Sequence, residues 1–261
     1  MKKELCVLKE CLLTAGALAR KRQGKVSYEL KGRANLVTQA DVACQQTILQ
    51  IIKKNFPEHD FLAEENGLKN TGSDWKWVID PIDGTTNYAH TVPHFSVSIA
   101  LAHKNQIVLG GVYDASKNEL FLAQKGKGAT LNGKRIHVSS VRKLENALLV
   151  TGFPYMREQR IDGLLKRFKR FILSCHDVRR LGSAALDLCW VAAGRFDGYW
   201  EDSLNPWDVS AGKLILEEAG GKITDFSNKK WSQLKTFGTQ TLATNGKIHR
   251  EMFDIIKEDL G

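Results

Sequence analysis

The sequence has no C-x-x-C pair, and its five cysteines, Cys6, Cys11, Cys44, Cys175 and Cys189, are odd in number. Neither a disulfide framework nor a zinc site is indicated, and a reducing compartment, the cytoplasm, fits best. No run approaches the ~18 apolar residues that a membrane-spanning helix needs. The N-terminal stretch MKKELCVLKECLLTAGALARKR mimics a signal peptide in its two lysines and its Ala-Leu-Ala ending, but Glu4, Lys9 and Glu10 break the apolar part. Leu5, Leu8, Leu12, Ala15 and Leu18 recur instead at helical spacing, which predicts an amphipathic helix docked on a core. Internal repeats and low-complexity linkers are absent too, so neither a repeat array nor a disordered chain is in view.

What is present is ordinary for a globular protein: 261 residues, 43% apolar and 26% charged, enough for one large core or two modest domains. Lys plus Arg exceed Asp plus Glu by 38 to 29, a net +9 that suits anionic partners such as phosphate esters, nucleic acid or an acidic membrane surface. The small basic clusters at 19–22 and 166–170 read as solvated helix faces rather than as a nucleic-acid patch.

Organisation changes along the chain. After the first helix, Val26 to Gln39 reads as a polar loop, and Asp41 opens a second helix with Ile48, Ile51 and Ile52 on its buried face. A short strand at 61–65 runs into acid. Phe95, Val97, Ile99 and Leu101 alternate with Ser96, Ser98 and Ala100, predicting a strand, and further strands are expected at 107–113, 119–123 and 135–138, with Asn132-Gly133 as a hairpin turn. Beyond about residue 140 strands and helices alternate: strands at 147–151, 177–181, 196–201, 222–226 and 241–244, helices at 158–173, 183–193 and 207–219, and a last helix from Lys247. The reading is an α+β half (1–140) and an α/β half (141–261) forming one compact unit, with any shared site in the cleft between them.

The stretch WVIDPIDGTTN, residues 77–87, ends an apolar strand on Asp80 and Asp83. Two carboxylates so close repel each other unless a cation neutralises them. Glu64 after a strand and Asp208 in NPWDVSAG occupy similar settings, and hard oxygen donors without Cys or His companions select Mg²⁺, Mn²⁺ or Ca²⁺. A lone Asp before a helix is ordinarily a cap, but one cap does not need two acids. The D-x-D-G-T signature of haloacid-dehalogenase phosphatases is not met, because Pro81 stands where their aspartyl nucleophile would be. Nor do acids alternate as in a calcium loop. His90 and His94 are four apart, but Pro93 between them argues against a helical metal pair, so both are taken as structural.

EEN at 64–66, WVIDPIDGTTN at 77–87, RRLGSAALDLCWVAAGRFDGYWE at 179–201 and PWDVSAGKLILEEAGG at 206–221 resemble the inositol monophosphatase family of the lithium-sensitive phosphatase superfamily, in order and at compatible spacing over nearly the whole chain. The resemblance implies a layered α-β-α-β-α sandwich of the inositol monophosphatase and fructose-1,6-bisphosphatase type, a homodimer, and Mg²⁺-dependent hydrolysis of a phosphate monoester. It makes Glu64, Asp80 and the Ile82 carbonyl ligands of one Mg²⁺ and Asp80, Asp83 and Asp208 ligands of a second, with a third ion near Glu64. Two such ions clamp the attacking and leaving oxygens of an in-line displacement.

Thr85 and Asp41 are implied as the proton path from the attacking water. Ile82, Asp83, Gly84, Thr85, Thr86 and Asp208 are implied as substrate contacts, with Gly84, Thr85 and Thr86 offering backbone N–H groups to the phosphate at a helix start. Gly182, Ser183, Ala184 and Glu201 are implied for the rest of it. Which of Arg179 and Arg180 faces the cleft is left open. Asn35 stands where many relatives have Asp and Ala63 where they usually have Gly, which points to altered loop behaviour or third-ion affinity and not to lost chemistry. The expected substrate is a small polyol phosphate, myo-inositol 1-phosphate first, with histidinol phosphate, fructose 1,6-bisphosphate or a 3′-phosphonucleotide as alternatives. The rival reading, a basic non-catalytic partner of nucleic acid, has no use for four converging carboxylates.

Overall fold

The computed structural model describes residues 1–25, 28–30, 36–65, 67–155, 158 and 160–258. In chain order the first half carries α1 (Lys2–Arg22), β1 (Tyr28–Leu30), β2 (Leu36–Thr38), α2 (Gln39–Asn55), β3 (Asp60–Ala63), β4 (Gly67–Lys69), β5 (Trp75–Asp83) and α3 (Thr85–Ala89). It continues with β6 (Ser96–His103), β7 (Gln106–Asp114), β8 (Glu119–Gln124), β9 (Gly128–Leu131) and β10 (Lys134–Arg135). The second half carries β11 (Leu148–Thr151), α4 (Ile161–Ser174), β12 (Asp177–Arg179), α5 (Ala184–Ala192) and β13 (Gly198–Asp202). It ends with α6 (Pro206–Glu218), β14 (Lys222–Thr224), β15 (Gln240–Thr244) and α7 (His249–Lys257).

Strands β3 to β10 form one sheet in the order β10-β9-β8-β7-β6-β5-β3-β4, antiparallel except for the β3–β5 pair. A second sheet has the order β12-β11-β13-β15-β14, parallel around β11 and antiparallel around β15. Three buried clusters show how they stack. On one face of the larger sheet Trp77, Ile79, Phe95, Val97, Ile99 and Leu101 meet Leu8, Leu12 and Ala15 of α1 and Cys44 and Ile48 of α2. Its other face, with Val78, Ala100, Val112 and Phe121, meets α5 and α6, which also cover Val150, Tyr199 and Ala243 of the smaller sheet. The remaining face of that sheet, Leu149, Trp200 and Leu242, packs on Phe171 of α4 and Met252 and Ile256 of α7. The layers therefore run α-β-α-β-α, as expected, and the central helix layer joins residues from both halves of the chain. Fully buried side chains as large as Trp77, Tyr88 and Phe95 contribute about 1.5–3 kcal/mol each by leaving water.

The expected alternation along β6 holds, but both of its faces are buried, the second by small residues against which α6 packs. Asn132 (φ 49°) and Gly133 (φ 79°) form the hairpin turn with the paired left-handed conformations that such turns require. Other expectations need correction. The segment 26–39 is not all loop: β1 and β2 pair antiparallel within it, each only three residues long and so without readable periodicity. The strand expected at 135–138 shrinks to β10, with most of the pairing supplied by β9 on the other side of the turn. The helix expected from 158 begins at Ile161. Asn35 lies outside the described residues, and Ala63 is buried at the end of β3.

Candidate active site

Asp80 and Asp83 stand three apart on β5, a spacing that would aim them at opposite faces of a straight strand. Pairing with β6 shows how this is avoided: Asp80 opposes Ser98 and Asp83 opposes Ser96, so three steps on β5 match two on β6. One residue is bulged out, and Pro81, with no N–H to give the ladder, sits inside the bulge. Both carboxylates thus line the same cavity, of about 260 Å³, together with Glu64 at the end of β3 and Asp208 in the first turn of α6.

The oxygens of these acids are partly committed. Asp80 Oδ1 accepts from Ile82 N at 3.1 Å. Asp83 Oδ2 accepts from Ser183 Oγ at 2.5 Å and Ala185 N at 2.8 Å, so the N-terminus of α5 caps this carboxylate. Asp208 Oδ2 accepts from Asn205 N at 2.7 Å in a capping box that starts α6, with Pro206 in the helix's first turn. Burial, then the charges of Glu64, Asp83 and Asp208, pushes Asp80 well above the usual carboxylate range. Burial also raises Asp208, with Asp83 and Glu64 adding to it against the Asn205 bond. Asp83 is raised by burial in spite of the Ser183 and Ala185 bonds. Three acids that resist ionising together, with Glu64 beside them, make a concentrated negative field, and even the Tyr155 phenol is raised, by burial and then by Glu64, Asp83, Asp208 and Asp80.

The donor set fits a hard divalent cation: oxygen only, from carboxylates and the Ile82 carbonyl, in a field that a cation would relieve. Among the described residues no three His, Cys, Asp or Glu side chains are already drawn together as a cage. The fit is one of donor chemistry and shared field, not of preformed coordination.

Behind the cavity wall, Thr85 Oγ1 lies 3.4 Å from Asp41 Oδ1 and 3.0 Å from the Ile82 carbonyl oxygen. Asp41 is also part of the capping box of α2, its Oδ2 accepting from Thr38 N at 2.9 Å and Thr38 Oγ1 at 2.5 Å. The N-cap is Thr38 and the helix opens at Gln39, two residues earlier than expected. Asp41 is both a helix-capping residue and the neighbour of Thr85. Burial pushes its carboxyl up to about 6, against the Thr38 bonds that favour the charged form.

Gly84 has φ +91°, and a Cβ there would stand 3.1 Å from the His94 carbonyl oxygen and 3.2 Å from that of Gly182. The two halves meet at these glycines, and Asn87 Nδ2 ties them by donating to His94 O and Leu181 O, both at 2.8 Å. Gly182, Ala184 and Glu201 line the cavity, whereas Ser183 is buried against Asp83 and Thr86 is exposed outside the lining. The helix that Gly84 to Thr86 begin, α3, is only five residues long. His94 is buried edge-on against Trp190, and burial lowers its imidazole to about 4, in keeping with a structural role.

Glu201 Oε2 accepts from the Tyr199 hydroxyl at 2.6 Å; burial raises its carboxyl to about 7, with the Tyr199 bond and Arg180 pulling the other way. Of the two arginines, Arg180 lines the cavity, and Arg179 is ion-paired with Asp177. The sequence reading missed the loop Gly152 to Tyr155 after β11, and also Ser203, Leu204, Asn205 and Trp207 before and within the start of α6. A Gly-x-Pro turn directly after a parallel strand was the available signal for the first, since sites gather at such strand ends.

The chain is 42% identical over 240 residues to the Nus factor SuhB of Pasteurella multocida, covering 92% of this chain and 86% of that one. It superposes with a TM-score of 0.89 on an inositol monophosphatase from Anabaena (Nostoc) sp. PCC 7120, at 42% identity and covering 98% and 96% of the two chains. An IMPase/NADP phosphatase solved complexed with Mg²⁺ and phosphate matches at 27% identity with a TM-score of 0.83, covering 97% and 94%. The sequence pattern of the inositol monophosphatase family matches residues 3–257, and the chain belongs to that family.

Proposed function

We propose that this protein is a Mg²⁺-dependent phosphomonoesterase acting on a small polyol phosphate, with myo-inositol 1-phosphate as the leading substrate. The observation that carries the reading is the convergence of Glu64, Asp80, Asp83 and Asp208, from both halves of the chain, on one cavity whose other residues include Arg180 and Glu201. Glu64, Asp80, Asp83, Asp208 and the Ile82 carbonyl would hold two Mg²⁺ ions, with room in the charge balance for a third near Glu64. Bound there, Mg²⁺ would neutralise the acids and polarise both the phosphate and the attacking water.

The protein's own groups do the rest. Thr85 accepts a hydrogen bond from the water and passes its own toward Asp41, the buried base within reach at 3.4 Å. Ser183 and the first turn of α5 hold Asp83 in its orientation. Gly182 and Ala184 present backbone to the substrate, and Glu201 accepts from a hydroxyl of the alcohol. The five free thiols support a cytoplasmic protein, and the family resemblance supports a homodimer. Among the described residues no helix is long and apolar enough to cross a membrane.

The test is phosphate release from myo-inositol 1-phosphate, histidinol phosphate, fructose 1,6-bisphosphate and a 3′-phosphonucleotide, with Mg²⁺ and with chelator. Absence of Mg²⁺-dependent release from all four refutes the reading. A second reading, a non-catalytic partner of nucleic acid or its machinery, has two observations in its favour, the similarity to a protein named as a Nus factor and a net charge of +9. An inactive Asp83→Asn variant that still replaced that relative in its own cell would support it.

A further inference from the structure

Arg180 is the one cation lining the cavity among the described residues. It carries no hydrogen bond or ion pair there, whereas its neighbours are committed: Arg179 to Asp177, and Arg160 to Asp202 and Ser203. Its guanidinium lies over Gly182, where a Cβ would come within 2.5 Å of Nη1, so the glycine's missing side chain is the space Arg180 occupies. Its field reaches Glu201, whose charged form it favours, and Asp187 of α5, a buried acid with neither oxygen hydrogen-bonded. One Glu201 oxygen is held by Tyr199, which fixes the carboxylate while leaving acceptor capacity toward the cavity.

The charge balance says what such a pair recognises. A second phosphate or carboxylate on the substrate would gain Arg180 but meet Glu201, with Asp187 and Asp83 behind it. An uncharged alcohol meets a donor and an acceptor side by side with no net charge. Resting on the phosphatase reading above, we propose that Arg180 is a specificity-determining residue that acts with Glu201 to recognise neighbouring hydroxyls of an uncharged polyol, Arg180 as donor and Glu201 as acceptor. The planar fork of a guanidinium suits two adjacent oxygens in a way that an ammonium does not.

The test compares wild type, Arg180→Gln and Arg180→Lys by steady-state kinetics with Mg²⁺ on myo-inositol 1-phosphate, p-nitrophenyl phosphate, which has no hydroxyls to read, and fructose 1,6-bisphosphate. Loss of hydrogen bonds from a charged group should raise KM for the inositol ester by about tenfold to a hundredfold more than for p-nitrophenyl phosphate, with Lys restoring only part. Equal losses on those two esters, or no loss, overturn the assignment. A loss confined to the bisphosphate overturns it in favour of a site for a second anion. If the wild-type protein hydrolyses none of the three, the phosphatase reading falls first, an outcome distinct from an active enzyme indifferent to Arg180.

Discussion

Removing the Thr85 hydroxyl or the Asp41 charge tests the proposed proton path. Thr85 has one proton and two acceptors, Ile82 O at 3.0 Å and Asp41 Oδ1 at 3.4 Å, so the resting bond favours the carbonyl and the longer contact is the one that must tighten in the reaction. Positioned acid-base help of this kind is worth about 10²–10⁴ in rate. Thr85→Ala and Asp41→Asn should each lose that much kcat, and the double variant little more, because the two groups act as a unit. A separate structural effect must be subtracted: Asp41 also completes the capping box of α2, and a lost cap costs about 0.5–2 kcal/mol of stability without touching the chemical step.

Thermal melts of the variants measure that cost, and pH separates the roles further. Asp41 must be charged to accept a proton, and burial raises its carboxyl to about 6, so kcat/KM should fall as pH drops through that range or, with bound cations opposing protonation, somewhat below it. Asp41→Asn should flatten this acid limb. Fully multiplicative losses in the double variant, or an unchanged acid limb in Asp41→Asn, would reduce Asp41 to a helix cap.

Two further outcomes follow from the same geometry. A Cβ on Gly152 would overlap Glu201 Oε2, so Gly152→Ala should displace that carboxylate from Tyr199 and raise KM for a polyol ester by about tenfold or more, against a smaller change on p-nitrophenyl phosphate; equal changes count against Glu201 as a substrate group. Asp80 and Asp208 are raised in the folded protein without cations, so their contribution to stability is full below the unfolded carboxylate value of ~4 and is lost as pH rises through their folded values. Mg²⁺ favours the charged forms, so the increase in melting temperature on adding it should grow from about pH 5 to about pH 8, and an increment that is flat or shrinks over that range refutes the metal assignment.

Much of this site could be read from the sequence because its acids sit at element boundaries with local signatures. Thr38 to Asp41 and Asn205 to Asp208 are capping boxes written in four residues each, and the Trp77-Val78-Ile79 run before Asp80 is continuously apolar because both faces of the strand are covered there. What could not be read depends on contacts far apart in the chain. Three-residue spacing alone would separate Asp80 from Asp83; the bulge that reunites them exists only in the register with β6. Ser183, adjacent to two cavity-lining residues, turns inward because Asp83, a hundred residues earlier, needs its hydroxyl.

The choice between Arg179 and Arg180 has the same character. Asp177 captures the first on the exposed end of β12, and that leaves the second, one residue later, to the cavity. Local pattern thus specifies which residues carry charge near the site, and long-range pairing decides which of those charges the substrate meets. Arg180 and Gly152 were hidden for that reason, one by an ion pair on its neighbour and the other by a carboxylate that approaches from β13. Substrate preference in this chain is accordingly expected to respond to changes at Arg180, Gly152 and Glu201 more than to changes in the acidic motif, which on the proposed reading serves the phosphate whatever alcohol it carries.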